Sequence, residues 1–290
     1  MSNRRGFICG VLAVFFWSTV ASAFKFSLRY IDYIQLLFYS SLTSIFTLFL
    51  IIIIQRKLYQ LYSALSKNLM YSILLGFLNP FLYYTVLFKA YSILPAQEAL
   101  ALNYVWPIVL VIFSIIFLKE RVKAYSLISL LIGFIGVLII SSRGNILSFR
   151  FTRIDGVILA LGSSIIWASY WILNIRDNLN PVIRLFLNFA FGLFFSFLTV
   201  ILFSNIFNIN LIGILGCIYV GLFEMSITFT LWLTALRSSK STARIANLIY
   251  FAPFLSLLII HLVIGEKIFP STFIGLILII SATIIQNMLK

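Results

Sequence analysis

The stretch 103–120 reads NYVWPIVLVIFSIIFLKE, and an echo of it stands at 249–266, IYFAPFLSLLIIHLVIGE. In both, a Tyr stands three residues before a Pro, and a Glu follows that Pro by 13: Pro107 to Glu120 and Pro253 to Glu266. The run between Pro and Glu is mostly apolar without alternation, unlike a membrane-barrel strand, which alternates over about 10 residues. The echo extends outward. Gly6 precedes Trp17-Ser18 by 11 residues, as Gly156 precedes Trp167-Ala168 by 11. Gly76 stands 14 before Ala90, as Gly221 stands 14 before Ala235. Matches in the same order point to a duplicated chain, one repeat over 1–145 and the other over 146–290.

Composition sets the solvent. Of 290 residues, 62% are hydrophobic, 17% aromatic and only 10% charged, against about a quarter charged in a soluble domain. Mean hydropathy is +1.13. Apolar runs fall at about 6–28, 34–54, 69–91, 96–118, 123–141, 154–174, 182–203, 211–236, 241–263 and 270–289. A membrane helix needs roughly 20 apolar residues, so the runs predict an all-α integral membrane protein of ten transmembrane helices. Five helices per repeat is an odd number, so the second repeat enters the membrane from the opposite side. Inverted repeats of this kind underlie many secondary transporters.

The net charge of +14 reads as loop bias rather than as a nucleic-acid surface, because the bases are scattered and no soluble domain remains. With the N-terminus inside, 14 of the 21 Lys and Arg residues fall on the cytoplasmic side, among them Arg4, Arg5, Arg56, Lys57 and Arg184. That bias places both termini in the cytoplasm of a multi-pass inner-membrane protein. Arg4-Arg5, the apolar run after them and Ala21-Ser22-Ala23 imitate a secretory signal. The same run recurs inside the second repeat, so it is read as a helix. Cys9 and Cys217 stand apart and His261 is the one histidine, which excludes a disulfide framework or a zinc motif. No phosphate-binding loop occurs. Neither a metal nor a cofactor is expected.

These features carry a family resemblance. Two five-helix repeats, with a Pro-to-Glu spacing closing each fourth helix, resemble the EamA family of the drug/metabolite transporter superfamily. Three strings are similar to the bacterial aromatic amino acid exporters: Trp17-Ser18-Thr19; Glu98 with Asn103-Tyr104-Val105-Trp106-Pro107; and Ile166-Trp167-Ala168-Ser169-Tyr170. The resemblance implies a transporter of small organic solutes. Asn79-Pro80, Lys89, Glu224 and Arg244 depart from the exporter pattern.

Glu224 lies near the middle of the eighth run, where a charge costs about 2.5–3.5 kcal/mol on insertion scales. It is read as a substrate-amine ligand, a proton-coupling group or a structural carboxyl. Its repeat counterpart is Asn79, three residues after Gly76 as Glu224 is three after Gly221. Tyr83 shares a helical face with Asn79 at i+4. Trp167, Tyr170 and Trp171 form an aromatic stripe that ends in Asn174. Asn103, Tyr104 and Trp106 stand just before Pro107, whose missing N–H breaks a helix; Pro253 does the same in the second half. Trp17, Asn247 and Tyr250 complete the expected substrate-binding set. Glu98 and Arg244 are read as gate residues at opposite faces, with Lys89 a possible partner of Glu98. Glu120 and Glu266 are expected to fix loops.

The leading reading is a monomeric secondary transporter that moves an amino acid or similar amphipathic solute by alternating access, with export as the direction and protons as a coupling ion under one reading of Glu224. The alternatives are an importer of a host metabolite such as S-adenosylmethionine, and a channel or structural membrane subunit. An enzyme is excluded, because seven dispersed acids and one histidine supply no nucleophile and base in one motif.

Overall fold

The computed structural model describes residues 2–65, 69–118, 124–142, 144–145, 153–174, 177, 179–207, 210–238 and 247–288. Among them the chain is helical throughout. The first half contains α1 (Ser2–Ser27), α2 (Tyr33–Ile54), the short α3 (Leu58–Leu65), α4 (Leu69–Gly76), α5 (Tyr83–Ile93), α6 (Ala96–Asn103), α7 (Trp106–Leu118) and α8 (Ala124–Ser141). The second contains α9 (Ile154–Asn174), α10 (Pro181–Phe203), α11 (Leu211–Phe223), α12 (Ile227–Ser238), α13 (Ala252–Ile259) and α14 (Pro270–Met288).

Local chemistry sets the starts. Asp32 caps α2 by accepting from Ile34 N at 2.7 Å and Gln35 N at 2.9 Å, and Gln35 returns a bond to Asp32 N. Asn180 caps α10 ahead of Pro181, whose missing N–H costs nothing at a first helical position. Asn210 caps α11 in the same manner.

Among the described residues, seven stretches are long and apolar enough to cross a membrane: Gly6–Ser27, Tyr33–Ile54, Leu69–Ile93, Ala96–Phe117, Ile154–Leu173, Pro181–Phe203 and Leu211–Ala235. The other three expected runs carry shorter apolar helices, Leu131–Ile140, Ala252–Ile264 and Pro270–Ile285. The ninth run differs from a continuous helix. A 3₁₀ turn, Asn247–Phe251, precedes α13, which restarts with Pro253 in its first turn because Pro253 has no N–H to continue the ladder.

Four helices break. The third run passes through a π-helical turn, Phe77–Leu82, where Asn79 leaves helical geometry at φ −147° and ψ 118°. The fourth run breaks at Tyr104-Val105, the eighth between Phe223 and Ile227, and the ninth at the 3₁₀ turn. Prolines accompany three of these breaks, at 80, 107 and 253.

Packing joins the halves. α1 lies against α11, α12 and α13, while α9 lies against α5, α6 and α7. α2 packs on α11 and α10, and α10 packs on α4 and its π turn. α8 and α14 pair closely, and each presents a glycine to the other: a Cβ on Gly136 would fall 2.7 Å from Gly275 O. Gly76 and Gly221 make matching approaches. A Cβ on Gly76 would meet Asn188 O at 2.5 Å, and one on Gly221 would meet Ser40 O at 2.6 Å. Small residues at such crossings let backbones approach where lipid supplies no hydrophobic force between helices.

Linker contacts sort the two ends of the bundle. At one end Arg29 donates to Ile264 O, Gln35 to Asn205 O and Tyr39 to Ile206 O. At the other, Tyr71 donates to Leu173 O and Arg184 to Ser72 Oγ.

Gly76→Ala should destabilise the protein by about 1–3 kcal/mol through overpacking against the α10 backbone. Gly162→Ala, whose nearest neighbour would be 3.9 Å away, should be neutral or stabilise by about 0.5–1 kcal/mol through helix propensity. Melting of the two detergent-solubilised variants against wild type checks the opposite signs.

Candidate functional site

The broken helices meet around Glu224. α11 ends at Phe223, so Glu224 occupies its C-cap, with its N–H still bonded to Val220 O at 2.9 Å. Hydroxyls repair the break: Ser226 donates to Gly221 O, Thr228 donates to Phe223 O, and Ser44 of α2 donates to Met225 O at 3.1 Å. Glu224 Oε1 accepts from the Tyr84 hydroxyl of α5 at 2.9 Å. This bond links the two repeats. Glu224 Oε2 is buried without a hydrogen-bond partner among the described residues, although the residue as a whole is partly exposed.

The fourth-run break is repaired from α9. Pro107 has no N–H to offer Asn103 O, the acceptor four residues back. The Ser164 hydroxyl takes that role, 3.0 Å from Asn103 O and 3.2 Å from Leu102 O. The Asn103 side chain donates to Ser163 Oγ at 2.9 Å and accepts from the Tyr83 hydroxyl at 3.4 Å.

Aromatic rings fill the space between. Tyr83 stacks on Trp167, with centroids 4.6 Å apart and planes 25° from parallel, and Trp167 stacks on Tyr170 at 5.5 Å. Trp171 meets the Trp167 edge at 5.9 Å. Across from them Phe229 lies 6.1 Å from Trp167 and 5.5 Å from Trp17, and Trp17 lies 5.4 Å from Trp232. Tyr83, Tyr84 and Tyr104 are within electrostatic reach of the Glu224 carboxylate. Asn188 donates to the Tyr170 hydroxyl at 3.0 Å. Both polar atoms of the fully buried Asn79 side chain, and Trp171 Nε1, have no partner among the described residues.

The structure therefore brings together Trp17, Tyr83, Asn103, Trp167, Tyr170, Trp171 and Glu224, with Tyr104 beside them. Trp106 opens α7 and is partly buried against the core. Pro107 lies in the first turn of α7, as Pro253 does in α13. Glu98 is elsewhere, buried in the first turn of α6. Its expected partner Lys89 sits instead with Nζ 4.7 Å over the Tyr33 ring, because α5 aims it at α2 rather than along the turn to α6. Arg244 and Glu120 lie outside the described residues, as do the side chains of Asn247 and Tyr250. Sequence reading passed over Tyr84, Ser163, Ser164, Asn188 and Phe229. Tyr84 sits on a run of aromatic residues with nothing to distinguish it, whereas Ser163-Ser164 precede the Trp167 stripe by one turn and were visible as polar residues in an apolar run.

A second cluster, of which the sequence singled out Glu266 as a loop-fixing residue, closes the end where the third–fourth and ninth–tenth linkers meet. Glu266 caps α6: Ala96 N donates to Oε1 at 2.9 Å and Gln97 N to Oε2 at 3.4 Å. The Gln97 amide donates to Lys267 O and accepts from Phe269 N, each at 2.8 Å. Lys25 Nζ donates to Tyr91 O at 2.8 Å and Leu94 O at 2.6 Å, at the C-terminus of α5. An anion at a helix start and a cation at a helix end both complement the helix dipole. At the opposite end Arg184, buried, pairs with Asp177 through two nitrogens and donates to Ser72 Oγ at 2.6 Å.

Comparison with known proteins gives a consistent picture. Residues 4–142 and 154–288 each match the EamA-like transporter family. An uncharacterized transporter of Bacillus subtilis, YvbV, is 23% identical over 256 residues, 87% of this chain and 82% of that one. One from Archaeoglobus fulgidus is 25% identical over 270 residues, covering 91% and 92%. One from Clostridium kluyveri is 25% identical over 180 residues, and there the match spans only 60% of this chain and 58% of that protein. A solved crystal structure superposes with a TM-score of 0.70 at 20% identity, over 99% of this chain and 98% of that one, and so shares its fold.

Glu266→Gln removes the charge that caps α6 and should cost about 0.5–2 kcal/mol, the range for losing a cap. Hydrogen exchange at the Ala96 and Gln97 amides should accelerate while exchange in α2 stays unchanged. Unchanged protection at 96–97 would show that the cap contributes nothing.

Proposed function

The chain belongs to the EamA-like transporter family, and on that premise we propose that it is a secondary transporter of a small organic solute, an amino acid or similar amphipathic metabolite. The solute crosses by alternating access through the cluster around Glu224. The observation that carries this reading is the Tyr84–Glu224 hydrogen bond, a polar contact between the two halves at the point where their third and eighth runs are broken. An intramembrane carboxyl of this kind faces the bundle interior and marks a solute or ion pathway.

The reading takes the ten apolar runs as ten spans in two inverted five-helix repeats. Packing supports it. Exchanging each run with the one five places on converts the α1–α11/α12 contact into the α9–α5 contact. It converts α1–α13 into α9–α6/α7, and α2–α11 into α10–α4. Gly76 and Gly221 change places under the same operation. The linker contacts support inversion rather than simple repetition. The first–second linker meets the ninth–tenth at one end through Arg29, while the sixth–seventh, counterpart of the first–second, lies at the other end with Arg184.

The bias of Lys and Arg puts both termini in the cytoplasm of an inner membrane. The end closed by Glu266, Gln97 and Lys25 is then the outer one. Export is the direction taken by the exporters that the sequence resembles, and the protein works as a monomer because both halves of the site come from one chain.

Purified protein in liposomes, screened against labelled amino acids and S-adenosylmethionine, should show saturable flux that unlabelled solute on the far side accelerates. Glu224→Gln should reduce the flux at least about tenfold, the equivalent of one charge-assisted hydrogen bond. Flux that rises linearly without counter-exchange would make the protein a channel. No flux of any metabolite would leave a structural subunit.

A further inference from the structure

The chemistry around Glu224 says which kind of solute group fits there. One carboxylate oxygen is held by the Tyr84 hydroxyl, and the other, Oε2, is buried and unpartnered among the described residues. Among the described residues, Lys25 is engaged at the α5 C-terminus, Arg184 with Asp177 and Lys89 over the Tyr33 ring. The walls are aromatic rings. Tyr83, Trp167 and Tyr170 form a continuous stack, and Phe229, Trp17 and Trp232 form a second aromatic wall. Ring faces carry negative quadrupole potential. A carboxylate set among them repels an anion twice over and attracts a cation twice over, by direct charge and by cation–π contact. Glu224, Trp17 and Trp232 are each partly exposed as residues, while Oε2 itself is buried.

We propose that Glu224 Oε2 seats an organic ammonium ion, a small primary amine whose aromatic or apolar arm lies along the Tyr83–Trp167–Tyr170 stack. This inference rests on the transport-site reading of the cluster and names the solute group it selects. The ammonium gives Oε2 the donor it lacks and brings the positive charge that the carboxylate needs on leaving water. The arm stacks on rings already parallel to one another, so little side-chain order is lost on binding. A neutral hydroxyl reaches the same oxygen but gains neither charge term, and an organic anion loses both.

The test is a fluorescence titration of the full chain in lipid nanodiscs, using its own tryptophans, of which Trp17, Trp167, Trp171 and Trp232 belong to the ring network. The probes are 2-phenylethylamine, 2-phenylethanol and phenylacetate, which share the arm and differ in charge. The amine should bind at least about tenfold more tightly than the alcohol, as a hydrogen bond to a charged group predicts, and phenylacetate should bind most weakly. Glu224→Gln should bring the amine within about twofold of the alcohol, and Glu224→Asp should retain an amine preference. Equal affinities, an anion preference, no binding by any probe, or an amine preference that survives Glu224→Gln would overturn the inference. The wild-type order decides the matter even if a variant fails to fold. Liposome flux separates the two claims: amine-selective binding without saturable flux leaves the inference and removes the transport reading, whereas saturable exchange without amine preference does the reverse.

Discussion

Hydrocarbon offers no water to an unpaired N–H or C=O, and this constraint governs the rest of the structure. A helix satisfies it span by span. A broken helix satisfies it only where other parts of the protein supply the missing partners. Here the breaks fall in the third, fourth, eighth and ninth runs, so the repair groups must gather where those runs meet. Ser164 serves the carbonyls left by Pro107, and Ser226, Thr228 and Ser44 serve the carbonyls around Glu224. A polar centre in an apolar bundle is thus a consequence of breaking the helices there, and the same breaks place Glu224 at a helix end and turn Asn79 out of helical geometry.

Charge is handled differently at the centre and at the ends. At the ends buried Arg184 is matched by Asp177, half-buried Lys25 by helix-end carbonyls and half-buried Glu266 by helix-start amides. These contacts fix the entry of α10, the exit of α5 and the start of α6. At the centre the matching is incomplete, with Glu224 Oε2, Asn79 and Trp171 Nε1 left without partners among the described residues. Buried polar atoms in native proteins rarely stay unpaired without a reason. Unpartnered atoms in the central cluster suit the proposed role, in which the missing partner is the solute.

The fold was legible because its signals are long and redundant. Ten apolar runs, a doubled Pro-to-Glu spacing and an odd helix number per repeat all survive an error of a few residues at any boundary. Much of the central cluster was legible for a related reason: Glu224 and the Trp167 stripe are rare residue types in apolar runs and stand out individually. What stayed hidden depends on contacts between runs. Tyr84 is one aromatic residue among many until its hydroxyl meets Glu224 at the end of α11. Glu98 and Lys89 are close in sequence, yet Lys89 on α5 lies over the Tyr33 ring of α2 while Glu98 is buried in the first turn of α6. The cap that Glu266 places on α6 joins residues 170 apart in sequence, and no local pattern announces it.

The central claim is that one polar site in the middle of the bundle opens to both sides of the membrane. Asn103, partly exposed and bonded to both Tyr83 and Ser163, is well placed to report it. In a chain with Cys9 and Cys217 replaced by Ser, Asn103→Cys would be treated with a membrane-impermeant thiol reagent in right-side-out and in inverted vesicles. Alternating access predicts labelling from both sides, and slower labelling from each when a bound solute fills the site. Labelling from one side alone, or from neither, would contradict it.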